Sequence, residues 1–430
     1  MNWKILTTLL LLLQAGLFAQ STDLETALFE LPDVVFKAID TPSGYEEAYE
    51  VRIKQPLDHK NPDKGYFYQR AYLSHRGFDR PTVICTEGYG RGSNRIYELT
   101  NLIDGNQIDV EHRYFGESMP DTKELDYQYL NLEQATADLH HINELFRQIY
   151  SGKWLSTGIS KGGQTTIFYR YFYPDDVDVS VPYVAPLNLA LEEERIYTFL
   201  DTVGTATCRK AIYDVQRSVL ENRDDILPKL KWYAKGADLD FNYLSLEEAF
   251  EYAVLEYPFS FWQYGASCES IPSKKEGSEA ALEHMMSISG LDFFADGAME
   301  AYASHYYQAG SEMGYYSYDT DDFKGLLKAL PTDPNPSAIF MPGKVDKTFD
   351  GKLVQATYDW LETSGNRFIY INGDADTWSA TAVRPNDQVE AVWFFMPGKH
   401  HGNARIRNLS SHDRATLVTT LEKWLAIEIE

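Results

Sequence analysis

Gly158-Ile159-Ser160-Lys161-Gly162 sets a serine between two glycines, after the apolar run 153–157 and before a helical pattern over 164–173 that ends at Pro174. In G-x-S-x-G at a strand-to-helix turn, small flanking residues let strand and helix close up. The hydroxyl then projects above the sheet edge, beside a helix N-terminus that favours developing negative charge. Such a hydroxyl needs a general base, and the base needs an orienting acid. On this kind of turn the acid comes next along the chain and the histidine last. Two downstream loops fit that order: Asn372-Gly373-Asp374-Ala375-Asp376-Thr377-Trp378, and Pro397-Gly398-Lys399-His400-His401-Gly402. Spacing leaves the acid as Asp374 or Asp376 and the base as His400 or His401. The plain alternatives are a solvated Asp turn and a surface His pair. A His pair after a Gly also fits a metal site, but no third ligand is evident. The histidines at 140, 141, 284 and 305 have neither the chain order nor the loop setting. Acyl transfer also needs two N–H donors for an oxyanion, one of them on the residue after the nucleophile, Lys161. The glycine-rich loop Thr86-Glu87-Gly88-Tyr89-Gly90 offers the other at Gly88 or Tyr89.

These residues must be held by strands that end on one edge. Four short apolar runs read as buried strands: 82–86, 154–158, 367–372 and 391–396. Each ends in a polar or glycine-containing turn, as suits a parallel sheet covered on both faces. Helical spacing recurs between them, with Ala135, Leu139, Ile142, Leu145, Phe146 and Ile149 in 132–150, and Leu417, Leu421, Trp424 and Leu425 in 413–429. Alternating strands and helices predict an α/β fold. From about 189 to 336 the chain is helical and aromatic-rich, with few strand signals. The expected organisation is a leader over 1–19, a core over 20–188, a helical insertion over 189–336 and the rest of the core over 337–430.

The 430 residues carry 39 Lys and Arg against 64 Asp and Glu, a formal charge of −25. That balance argues against a nucleic-acid partner and against a polybasic membrane-surface protein. Three cysteines rule out a disulfide scaffold. Lys4, the apolar run 5–13 and small residues to Ala19 form the layout of a secretory signal peptide, too short for a membrane anchor of roughly 20 apolar residues. The expected mature protein is secreted or periplasmic. Export permits a Cys208–Cys268 disulfide, although two unpaired thiols fit the sequence as well; Cys85, in an apolar run, reads as a buried thiol.

Several motifs resemble a known peptidase group. Glu111-His112-Arg113-Tyr114-Phe115-Gly116-Glu117-Ser118-Met119-Pro120 is similar to a stretch of lysosomal Pro-X carboxypeptidase and dipeptidyl peptidase II. Tyr129-Leu130, Glu133-Gln134-Ala135 and Asp138 resemble the helix that follows it there. Asn372-Gly373-x-x-Asp376-x-Trp378-Ser379 and Lys399-His400-His401 with Arg405 resemble the acid and histidine loops. Gln308-x-x-Ser311-Glu312-x-Gly314-Tyr315 resembles a cap stretch. Gly158 to Gly163 is closer to the related bacterial family of secreted tripeptidyl aminopeptidases. The resemblance runs from about Pro56 to the C-terminus. It departs at Thr377, where the lysosomal acid loop has proline, and at Ser311, where the cap has cysteine.

The resemblance implies an α/β-hydrolase fold with a helical cap and a Ser160, Asp376 and His400 triad, with Arg405 beside the base. It implies cleavage near peptide N-termini, often with proline preference. Glu87 or Glu312 would bind the substrate α-amine, and Tyr89, Trp262, Tyr315 and Trp378 would form a proline pocket. Peptides are the expected partners, and the chemistry calls for no metal or organic cofactor. The rival readings are a Pro-X type carboxypeptidase, a secreted esterase on the same fold, and a binding protein that keeps the fold without the chemistry.

Overall fold

A computed structural model describes residues 23–120, 127–343 and 348–429. The expected leader over 1–19 lies outside them. Nine strands form one sheet: β1 (Val34–Ala38), β2 (Glu47–Pro56), β3 (Tyr66–His75), β4 (Thr82–Thr86), β5 (Asn106–Val110), β6 (Trp154–Ile159), β7 (Val179–Tyr183), β8 (Ile369–Gly373) and β9 (Val392–Met396). Their order is β1-β2-β3-β5-β4-β6-β7-β8-β9. The meander β1-β2-β3 and its junction with β5 are antiparallel; from β5 to β9 every pair is parallel. Helices α1 (Leu132–Phe146) and α2 (Lys161–Phe172) precede a helical excursion, and α8 (Lys352–Ser364) and α9 (Ser411–Leu425) follow it. The excursion contains α3 (Glu194–Thr202), α4 (Ala206–Glu221), α5 (Arg223–Gly236), α6 (Leu246–Tyr264) and α7 (Gly277–Met286). This is the α/β-hydrolase architecture with a helical cap.

Strand β4 shows why both sheet faces are covered. Ile84 joins one core with Ile108, Trp154 and the α1 residues Leu139, Ile142 and Phe146. Its neighbours Val83 and Cys85 join the opposite core with Val181, Ile371, Phe394 and the α9 residues Leu417, Leu421 and Leu425. Side chains alternate across a strand, so a continuous apolar run feeds two cores.

Five strands fall outside the four apolar runs, for different reasons. In β2 the buried Tyr49, Val51 and Ile53 alternate with half-exposed Glu50, Arg52 and Lys54, the pattern of a sheet margin with one wet face. β1 and β3 belong to the same meander. β5 is buried yet polar. Asn106 Oδ1 accepts the N–H groups of Arg76 (2.7 Å) and Gly77 (3.1 Å), and Gln107 bonds Tyr97 N, Thr100 Oγ1 and the Arg95 carbonyl. Those bonds replace water, so polar residues sit in a central strand at little cost. β7 carries Pro182, a residue that ordinarily argues against a central strand. β8 also begins later than the run 367–372 suggests, because Arg367 takes φ 59° and lies outside the ladder.

The cap has its own core, including Ile212, Val215, Phe250, Val254, Phe261 and Met285. Helix α6 starts at a Ser245–Glu248 capping box and stops at Gly265, whose φ of +71° is open to glycine. Cys208 and Cys268 form a disulfide that ties the start of α4 to the segment after α6. Cys85 is a buried free thiol. Among the described residues no helix is long and apolar enough to cross a membrane.

Candidate active site

Strand β6 runs straight into α2 through Ser160, whose φ of 59° and ψ of −124° is a strained conformation for a residue with a Cβ. Strain of this kind costs about 1–3 kcal/mol and persists only where the surroundings enforce it. Here they do. Ser160 N–H donates to the Tyr183 carbonyl at 2.9 Å. A Cβ at Gly158 would run into the Gly162 carbonyl and come within 2.5 Å of the Thr86 oxygen. Thr86 Oγ1 meets the Gly162 carbonyl at 2.8 Å and Thr166 Oγ1 at 2.6 Å, locking the end of β4 to the start of α2.

Lys161 follows at the first helical position, where its N–H has no intrahelical partner. The 87–90 loop lies directly on it: a Cβ at Gly88 would fall 2.5 Å from Lys161 Cβ. Lys161 Nζ donates to the Gly88 carbonyl (2.6 Å) and to Gln308 Oε1 (2.8 Å). Burial pulls its pKa down to about 7, with Glu312 acting in the opposite direction.

The Glu111–Ser118 motif is framework for this loop. Glu111 accepts from the Arg91 N–H (2.7 Å), Arg70 (2.7 Å) and Ser118 Oγ (2.7 Å). His112 N–H donates to the Tyr89 carbonyl at 3.2 Å. Gly116, at φ +52°, sits where any Cβ would strike the Glu111 carboxylate. Arg113 is fully buried and pairs with Asp138 of α1 through two bonds of 2.7 Å. It also donates to the carbonyls of Pro56, Leu57 and Tyr129.

The acid and base loops meet at the ends of β8 and β9, where Ala375 N–H donates to the Lys399 carbonyl at 3.0 Å. Asp376 is fully buried, and its Oδ2 lies 2.9 Å from His401 Nδ1. Asp374 is instead turned to the Gly398 N–H at 2.6 Å and closes the two loops together. The histidine that meets the acid is therefore His401, and not His400 as the family resemblance implies. The His400 ring packs against Gly265 at the end of α6, its Nδ1 accepts from the Gly402 N–H at 3.2 Å, and burial lowers its pKa. Helix α6 makes the choice: the Gln263 carbonyl accepts the His401 N–H at 3.1 Å, and the Phe259 carbonyl accepts Thr377 Oγ1 at 2.9 Å. Arg405 donates to the His401 carbonyl at 3.1 Å.

Ser160 opens into a cavity of about 390 Å³ between the sheet edge and the cap, within the range of small-ligand sites. Tyr89, Tyr315 and Trp378 line it, with Trp378 packed at 5.4 Å from Tyr315 and 5.1 Å from Phe259. Trp262 does not; it covers Gly204 elsewhere in the cap. Glu87 and Glu312 do not line it either. Glu87 is taken up by Arg91, Arg95 and Tyr97, and Glu312 accepts the Leu132 N–H at 2.7 Å at the start of α1. Three buried polar atoms on the wall have no protein partner among the described residues: Gln164 Nε2, Asn188 Oδ1 and His305 Nδ1. Burial and Lys161 hold His305 well below its usual pKa and thus neutral. Gln164, Asn188 and Glu256 on α6 were not singled out in the sequence, and His305 was set aside there for lacking the chain order and loop setting of a base. Their positions depend on how the cap folds over the sheet, and no local motif marks them.

The model of the PS-10 peptidase S37 family matches residues 19–428. The chain belongs to this family. It is a serine peptidase, in line with the motifs it shares with secreted aminopeptidases and Pro-X carboxypeptidases. It is 32% identical over 421 residues to the prolyl tri/tetrapeptidyl aminopeptidase of Streptomyces mobaraensis, covering 96% of this chain and 87% of that one. A prolyl carboxypeptidase-like protein of Caenorhabditis elegans is 25% identical, covering 63% of this chain and 62% of that one. Among solved structures, the proline iminopeptidase of Mycobacterium smegmatis superposes with a TM-score of 0.43 at 12% identity, covering 87% of this chain and 99% of that one.

Proposed function

We propose that this chain is an exported exopeptidase that releases di- or tripeptides from peptide N-termini through a triad of Ser160, His401 and Asp376, with proline preferred next to the cut. The observation that carries the reading is the Asp376–His401 contact at 2.9 Å, on the same sheet edge as the strained Ser160 elbow. Because Asp376 engages Nδ1, the imidazole keeps its proton there, and Nε2 is the nitrogen left to act as base. His401 takes the Ser160 proton as Oγ attacks the scissile carbonyl, then returns it to the leaving amine. Water, deprotonated by His401, attacks the acyl-enzyme and frees the peptide and Ser160. The Lys161 N–H and an N–H from the 87–90 loop hold the oxyanion.

The partnerless Gln164, Asn188 and His305 atoms suit the N–H and C=O groups of a peptide better than a lipid or short acyl ester. The aromatic wall of Tyr89, Tyr315 and Trp378 suits a rigid pyrrolidine ring. Similarity to an enzyme named as a prolyl tri/tetrapeptidyl aminopeptidase supports N-terminal cleavage. The leader and the Cys208–Cys268 disulfide support export.

The triad is tested with a fluorophosphonate probe and a peptidyl amide substrate. Ser160→Ala is expected to abolish labelling, and His401→Ala to lower kcat by roughly 10⁴-fold. His400→Ala is expected to stay within about tenfold of wild type, since His400 does not touch the acid. The opposite ranking of the two histidines would overturn the assignment.

A further inference from the structure

Helix α6 carries a carboxylate that the reaction above does not use. Glu256 lines the Ser160 cavity and is 4% exposed. Its Oε1 accepts Ser260 Oγ at 2.6 Å, and its Oε2 accepts the hydroxyls of Tyr316 at 2.9 Å and Tyr318 at 2.8 Å. A carboxylate offers about four acceptor positions, so three hydroxyls leave one open. No cation is set against it among the described residues. Lys161, the cation beside the nucleophile, has Glu312 as its charge partner.

Glu251, five residues earlier on the same helix, gives the contrast. It is equally buried, but Arg223 lies 2.6 Å away, and the N–H groups of Lys328, Ala329 and Leu330 fill its remaining positions. A buried carboxylate that is paired in this way is a structural fixture; one left without a cation is costly. Glu256 is held in place by neutral hydroxyls alone at a cavity wall, and burial pushes its pKa upward accordingly. The phenols of Tyr264, Tyr306 and Tyr315 stand in its field, and Tyr264, Tyr306 and Tyr315 line the same cavity. A cation arriving there would gain from their ring faces as well.

We infer that Glu256 is the anchor for the free α-ammonium group of the substrate, its charge completed only when a peptide N-terminus enters the cavity. The inference rests on the aminopeptidase reading, and it moves the amine subsite from Glu87 and Glu312 to the cap helix. An N–H of the ammonium would take the open acceptor position.

The test is binding of Ala-Ala-Pro and N-acetyl-Ala-Ala-Pro to the full-length Ser160→Ala protein, measured by calorimetry. Preference for the free amine by roughly 10- to 100-fold is expected. In Ser160→Ala with Glu256→Gln the preference should vanish. In Ser160→Ala with Tyr318→Phe, which removes one hydroxyl from the same cluster but keeps the charge, it should persist. The Tyr318→Phe arm guards against a merely structural effect. Equal binding of the two peptides to Ser160→Ala, a preference that survives Glu256→Gln, or equal loss in both double variants would overturn the inference. Failure of the functional reading looks different: wild type would release no N-terminal peptides while the amine preference stayed intact.

Discussion

At the residue scale, the strained turn at Ser160 was readable because everything that makes it is local. Two glycines, a preceding apolar run and a following helical pattern lie within about twenty residues, and the φ of Ser160 follows from them. Which histidine meets Asp376 was not readable. His400 and His401 are neighbours, and which one turns toward Asp376 is decided by the Gln263 carbonyl and by Gly265, far away on the cap helix. Glu256 was hidden for the same reason, since a glutamate in a helix ordinarily reads as a solvated face. Lys161 gives a prediction at this scale. Its folded pKa of about 7 lies below the usual 10.4 or so of a lysine. Between those values the unfolded chain binds a proton that the folded chain does not, so stability rises with pH across that window and the full penalty is present below it. Unfolding free energies of wild type relative to Lys161→Met should climb from pH 7 toward pH 10, by at most about 1.4 kcal/mol per pH unit, and stay flat below pH 6. A difference independent of pH would show that the buried amine keeps an ordinary affinity for its proton.

At the element scale, continuous apolar runs revealed the parallel strands β4, β6 and β8, because strands buried on both faces need apolar residues throughout; the run at β9 also forms a strand, but at the sheet edge and only partly buried. The alternating margin, the polar β5 and the proline-bearing β7 obey other rules. Asn106 and Gln107 are tolerated only because particular loop groups meet them, which hydropathy does not register. Helix α6 is the element on which the site depends. Its carbonyls hold the acid and base loops, and its side chains Glu256 and Ser260 face the cavity. The disulfide closing a 60-residue separation anchors the chain just beyond this helix. Cys208→Ser with Cys268→Ser should lose about 2–4 kcal/mol in denaturant unfolding. Reductant should lower the midpoint of wild type but not that of the double variant. A wild-type midpoint indifferent to reductant would show that the disulfide does not brace the cap.

At the scale of the whole molecule, the cap covers the sheet edge and leaves a cavity lined by Ser160 on the sheet side and by Glu256 on the cap side. The proposed exopeptidase activity requires this cavity to admit chain ends rather than the middle of a folded chain. The net charge of −25 disfavours polyanionic partners and is compatible with the proposed export. The most direct measurement is mass spectrometry of a mixed peptide library incubated with mature wild type or with Ser160→Ala. The account predicts that wild type alone removes di- or tripeptides from free N-termini, most often after proline, and leaves acetylated peptides intact. Removal of C-terminal residues, or an unchanged library in both samples, would contradict it.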